Sequence, residues 1–161
     1  MVAQQLATSR PGRIAKLVLA ETAFSTQSSL WERVQTWIAI SFMKVIPQSM
    51  LVTLSARQYG RIHPGVALFI KQEMGRYDRE TAIRVMRAAL DFDGKRLLGN
   101  IMSPTLVLVG EKNRQTHSQA REMARRILNA HFVIIPAAHH LLNIDNPEAF
   151  NRAVLEFLTS R

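Results

Sequence analysis

No cysteine occurs among the 161 residues. That absence excludes disulfide frameworks, thiolate zinc and iron–sulfur sites, and a cysteine nucleophile. It fits a cytoplasmic protein, which is the expected location. The opening Met1-Val2-Ala3-Gln4-Gln5-Leu6 lacks the basic start and apolar core of a secretory signal, so none is expected. Nor does any run suit a membrane span. The longest apolar stretch, Trp37 to Leu54, is broken by Lys44, Pro47, Gln48 and Ser49, whereas a spanning helix takes about 20 apolar residues. Blocks of like charge are missing too. Lys and Arg number 21 against 12 Asp and Glu, a net charge of +9, with ten basic and five acidic residues in 1–80 and eleven and seven in 81–161. An excess so evenly spread, with no aromatic-studded basic motif, reads as an arginine-rich solvated surface rather than a nucleic-acid face.

What is present is enough apolar material for a core: 47% hydrophobic against 20% charged residues, in a chain of one-domain length. Val2 to Thr8 reads as a short helix stopped by Pro11-Gly12. Ile14 to Ala20 (IAKLVLA) is a β-branched apolar run suited to a strand buried on both faces. Residues 25–100 then change character. Ser28–Ile46, Gln48–Arg57, Pro64–Gly75 and Asp78–Phe92 read as four helices, the last capped by Asp78 with Ala82, Val85, Met86, Ala89 and Leu90 at helical spacing. Strands return at Thr105–Val109 and Phe132–Ile135. Between them Thr116-His117-Ser118-Gln119 has the pattern of a capping box, with Ala120, Met123, Ala124 and Ile127 as the apolar face. Asn146-Pro147 opens a last helix whose apolar face is Phe150, Val154, Phe157 and Leu158.

Strands alternating with helices imply a parallel sheet covered on both faces, here interrupted by a helical insertion. In such sheets ligands bind beyond the carboxyl ends of the strands. Three segments fall there: Glu21-Thr22, Glu111-Lys112-Asn113 and Ala138-His139-His140.

PTLVLVGEKN (104–113) together with VIIPAAHHLLNIDNPEAF (133–150) resembles the C-terminal half of the α/β-hydrolase family, close to its small-ester and enol-lactone hydrolases. MVAQQLATSRPGRIAKLVLAET (1–22) resembles the elbow helix and next strand that come directly after that family's nucleophile. The resemblance implies a partial α/β-hydrolase fold in three parts: elbow helix and next strand in 1–24, an inserted helical cap in 25–100, and the C-terminal core with its histidine loop in 101–161. It implies a small ester or lactone as substrate, and no metal or organic cofactor.

The resemblance also assigns roles. His140, seven positions before Pro147, matches the family's catalytic histidine, whose near-neutral pKa suits a proton shuttle. His139 stands where a small residue is usual and reads as a supporting or surface histidine. The family's acid commonly falls where this chain has Asn113, and an amide carries no charge to stabilise an imidazolium. Glu21 is the substitute, since some branches place their acid after the corresponding strand; Glu111 ranks below it. Trp31, Trp37, Phe42, Met43 and Phe69 are candidates for an apolar pocket wall in the cap. The nucleophile is missing: none of the seven glycines brackets a serine as G-x-S-x-G, the context of the nucleophile elbow. Met1 falls where the family's chain has just left that elbow, so the expectation is the second half of a hydrolase. Two function classes are open on this reading: an ester or lactone hydrolase completed by an upstream half, or a non-catalytic remnant acting as an interaction module. For the chain alone, self-association through an exposed sheet edge is expected.

Overall fold

The computed structural model describes residues 1–25, 30–61 and 63–160. In chain order these form helix α1 (Val2–Ser9), strand β1 (Leu17–Ala20), helices α2 (Leu30–Val45), α3 (Gln48–Tyr59), α4 (Pro64–Met74) and α5 (Arg79–Leu90), strand β2 (Thr105–Gly110), helix α6 (Arg114–Arg126), strand β3 (Ala130–Ile135), and helices α7 (Leu142–Asp145) and α8 (Pro147–Thr159). Short 3₁₀ turns occupy Pro11–Arg13 and Leu98–Asn100. The chain divides by its contacts into one unit of residues 1–24 and 94–161 and a second of 25–93.

The first unit is built on a three-stranded parallel sheet in the order β1-β2-β3, flanked by helices on both faces. Leu17 to Ala20 lie opposite Thr105 to Leu108, and Thr105 to Gly110 opposite Ala130 to Ile135. All six residues of β2 are buried, as a central strand covered on both faces requires. The period of two sorts its side chains. Val107 and Val109 join Leu17, Leu19, Ala7, Ala120 and Met123 beneath α1 and α6. Leu106 and Leu108 face the other way, with Ile135, Leu142 and Phe157 beneath α7 and α8. Among the described residues β1 pairs with β2 alone, so its outer edge is unpaired. Lys16, just before β1, donates from Nζ to the carbonyls of Phe157 (2.6 Å), Leu158 (3.1 Å) and Ser160 (2.5 Å). It satisfies the orphan carbonyls at the end of α8.

In the second unit Val66, Ile70 and Ala56 are buried on α3 and α4. Arg79 closes the end of α2 by donating to the carbonyls of Lys44 (2.6 Å) and Ile46 (2.9 Å). Asp78 caps α5, accepting from the Thr81 amide at 2.8 Å. The unit's two ends meet: Ser25 and Asp93 form an antiparallel bridge, and next to it the Gly94 amide donates to the Phe24 carbonyl at 2.7 Å.

Several elements depart from the sequence reading. β1 begins at Leu17, because Ile14 follows a 3₁₀ turn at Pro11–Arg13 and carries an extended cap. Residues 28 and 29 of the expected Ser28–Ile46 helix lie outside the described residues. Residues 94–100 pack with the sheet, Leu98 being fully buried. The capping box at Thr116 does not form. Helix α6 starts earlier, at Arg114; the Thr116 hydroxyl donates to the Asn113 carbonyl, and Gln119 instead accepts from the Phe24 amide at 3.2 Å. Leu158 is exposed, as are Val85 and Met86 on α5. The cap of Asn146 does form, its Oδ1 accepting from the Ala149 amide at 3.1 Å.

Candidate active site

The three segments placed beyond the strand ends converge, and the sheet register is the reason. Parallel strands end side by side, so residues one to five positions past β1, β2 and β3 share one rim. Glu21 directly follows β1 and adopts φ +46°, the left-handed region that a residue with a Cβ occupies at a cost of roughly 1–2 kcal/mol. Its amide still pairs with the Leu108 carbonyl at 2.9 Å, so the sheet holds the turn in place. The side chain is swung over the end of β2. Ala23 and Phe24 beyond it are tied by Gln4, which donates to the Ala23 carbonyl at 3.3 Å, and by Gln119.

The Glu21 side chain is 4% exposed, and a buried carboxylate demands partners. It has them on both oxygens. Oε1 accepts from the Gly110 amide at 2.5 Å, and Oε2 accepts from Asn113 Nδ2 at 2.7 Å. Oε2 also stands 3.6 Å from Nδ1 of His140, whose side chain is 43% exposed. Carboxylate, amide and imidazole are therefore one cluster, with the imidazole opening to solvent.

The histidine loop is strapped along its length. Ala137 takes φ +56°, and its amide donates to Glu111 Oε2 at 2.8 Å. The Ala138 carbonyl accepts from the Lys112 amide at 2.9 Å. The His139 amide donates to Asp145 Oδ2 at 2.9 Å, and Asn146 Nδ2 to the Pro136 carbonyl at 3.0 Å. Glu111 thus holds backbone rather than a ring. His139, half-buried, points its amide at Asp145 while the next residue carries the ring beside Glu21. Gly110 lets the loop lie flat against β2: a Cβ there would stand 2.1 Å from the His139 carbonyl oxygen and 2.5 Å from that of Ala138.

Two contributors escaped the sequence reading. Asn113 is a donor to Glu21, where its type had suggested only a lost acid. His117, on the first turn of α6, has Nε2 2.8 Å from the Gly110 carbonyl. A carbonyl only accepts, so that nitrogen carries the proton. Asn113 and His117 are four residues apart, the helical spacing that stacks side chains on one face, and this was the available signal. Of the proposed pocket wall, Trp31, Trp37, Phe42 and Phe69 are exposed, while Met43 lines a small apolar cavity with Leu51, Val52, Met74 and Ala82. Among the described residues no group of three His, Asp or Glu side chains is placed to hold a metal ion, and no helix is long and apolar enough to cross a membrane.

Comparison with known proteins gives the same architecture. The sequence profile of the family described as "Alpha/beta hydrolase family" matches residues 1–153. The structure is similar to a hydrolase from Pseudomonas aeruginosa PA01, with TM-score 0.84, 29% identity, and coverage of 99% of this chain and 61% of that one. It is similar to a thermophilic esterase from Thermogutta terrifontis (TM-score 0.80, 26% identity, 98% and 60% covered). In fold it also matches the enol-lactonase from Burkholderia xenovorans LB400 (TM-score 0.81, 24% identity, 98% and 61% covered). The chain spans about three fifths of the length of each of these structures. No curated protein matches it.

Proposed function

The chain belongs to the alpha/beta hydrolase family, and from that premise we propose that it carries the histidine and acid of a Ser-His-acid hydrolase acting on a small ester or lactone. The observation behind this reading is the buried Glu21 carboxylate, pinned on both oxygens and 3.6 Å from His140 Nδ1. A carboxylate there favours the ring tautomer with its proton on Nδ1 and stabilises the imidazolium once it forms. His140 Nε2 is then left to take a proton from a nucleophile.

The nucleophile in this reading is a serine on a segment preceding this sequence. Its oxygen attacks the acyl carbon as its proton passes to His140 Nε2. The imidazolium returns that proton to the leaving alkoxide, giving an alcohol and an acyl-enzyme. Water attacks the acyl-enzyme with His140 again as base, releasing the acid and restoring the serine. The substrate class rests on the likeness to an esterase at 26% identity; the enol-lactonase adds likeness of fold. We assign residues 25–93 the role of a cap, and we place the cysteine-free protein in the cytoplasm.

The test begins with the DNA preceding the Met1 codon. An in-frame G-x-S-x-G coding segment is expected there, and a stop codon or unrelated sequence would sink the enzyme reading. In the longer product, p-nitrophenyl acetate should give an acyl-enzyme burst abolished by a fluorophosphonate. Glu21→Gln should lower turnover by about 10⁴, the loss seen when an orienting acid becomes an amide. Asn113→Asp should leave turnover unchanged or lower it. A silent Glu21→Gln with a gain from Asn113→Asp would move the acid to position 113. The second reading, an interaction module, is favoured by one observation, the outer edge of β1, which pairs with no strand among the described residues.

A further inference from the structure

We propose that Asn113 is a positioning residue whose side-chain amide aims the Glu21 carboxylate at His140 Nδ1. The inference rests on the Glu21–His140 pairing proposed above and adds to it the residue that sets its geometry. The torsion that rotates a glutamate carboxylate is broad, so one hydrogen bond does not fix its plane. The Gly110 amide holds Oε1 at 2.5 Å. A second donor on Oε2 removes the remaining freedom, and Asn113 Nδ2 supplies it at 2.7 Å. That same Oε2 is the atom facing Nδ1. The amide's orientation is not open, because turning it over would set Oδ1 against a carboxylate oxygen.

Asn113 is well placed for this task. It is 8% exposed, and its backbone is fixed at both ends: its amide donates to the Gly110 carbonyl at 3.1 Å, and its carbonyl accepts from the Thr116 amide and hydroxyl. It occupies the N-cap of α6, a position where asparagine usually bonds the first-turn amides. Here its side chain makes no such bond. The side chain is directed to Glu21 instead. An aspartate at this position would set two carboxylates at hydrogen-bond distance, forcing one to take a proton or turn away. Read so, the amide at 113 is the complement of an acid at 21.

Nitrogen-15 NMR of the His140 ring in the 161-residue chain tests this without any need for activity. At a pH where the ring is neutral, the ring shifts report which nitrogen carries the proton. In the unsubstituted chain Nδ1–H is expected as the major form. Glu21→Gln should reverse it to the Nε2–H majority of free histidine. Asn113→Ala should move it the same way with the carboxylate still present, and backbone amide dispersion would show that the fold persists. Should Asn113→Ala fail to fold, Asn113→Ser offers a hydroxyl able to cap α6 but is too short to reach Oε2, and the same loss is expected. An Nδ1–H majority retained in the folded Asn113 variant, but lost in Glu21→Gln, overturns the positioning role and leaves the Glu21–His140 pair standing. No change in Glu21→Gln overturns the pair, and the positioning role with it.

Discussion

Replacing Gly110 by alanine probes the packing that seats the histidine loop. The added Cβ would stand 2.1 Å from the His139 carbonyl oxygen, 2.5 Å from that of Ala138 and 2.8 Å from the Ala138 carbonyl carbon. These are backbone atoms with no rotamer to change. Ordinary contact begins at 3.4 Å, so the His139 carbonyl must retreat by about 1.3 Å, from 2.1 to 3.4 Å. That movement stretches the bond from the Lys112 amide to the Ala138 carbonyl and the bond from the Gly110 amide to Glu21. Overpacking of this kind costs about 1–3 kcal/mol, and the gain from restricting the unfolded chain offsets roughly 0.4–1 kcal/mol of it. A net loss of about 1.3 kcal/mol lowers Tm by roughly 3–5 °C in a chain of this length. Urea unfolding followed by far-UV circular dichroism should show a lower midpoint at unchanged slope. Amide shifts of residues 137–141 should move with it. Gly99→Ala is the control, since nothing lies within 4 Å of its Cβ position. In a catalytically complete enzyme, a displacement of about 1 Å at His140 would cost on the order of 10²-fold in turnover. A Gly110→Ala protein with unchanged midpoint and unchanged loop shifts would refute the claim that the loop is seated on this glycine.

Lys16→Ala should remove the charged donor from three carbonyls at the end of α8, at a cost of about 1 kcal/mol after allowance for its partial exposure; hydrogen exchange should quicken at Phe157 to Ser160 before it does in β2, and uniform exchange would contradict this. The Thr81 hydrogen bonds hold the Asp78 carboxyl below its ordinary pKa. Its contribution is complete above the unfolded-state value and fades as pH falls through the folded one. Acidification through that window should loosen α5, and Asp78→Asn, which keeps the cap, should abolish this part of the pH dependence in a circular-dichroism titration. Sedimentation of the purified chain should reveal self-association through the outer edge of β1; a sharply melting monomer would count against it.

The sheet was legible because burial on both faces writes itself as uninterrupted apolar runs, as in Thr105–Val109. The helix starts at Asp78 and Asn146 were legible for a similar reason, since their caps act within one turn. The capping box was misread because Gln119 finds a more distant partner in the Phe24 amide, and a four-residue pattern carries no information about contacts 95 residues away. The histidine and glutamate could be picked out from their places after strand ends, together with a family resemblance. The left-handed backbone at Glu21 and Ala137 could not. Neither residue is a glycine, so no sequence signal marks the conformation. Asn113 misled for a related cause: read alone it is an acid that has lost its charge, and only the 2.7 Å contact with Glu21 turns it into a donor.

The bridge between Ser25 and Asp93 bears on how the sheet assembles. Residues 21–104 separate β1 from β2, a stretch of 84 residues whose ends must be brought together before a single ladder bond forms. Once 25–93 has folded with its ends joined at Ser25 and Asp93, the free chain left to close is 21–24 and 94–104, fifteen residues. With closure entropy growing as the logarithm of loop length, this difference is worth about 1.5 kcal/mol. A helical insertion already folded therefore lowers the closure cost of the β1–β2 ladder and acts on the parallel sheet as an entropic clamp. A protein in which 25–93 gives way to a two-residue turn keeps the short loop, and its β1–β2 ladder should form without the four helices.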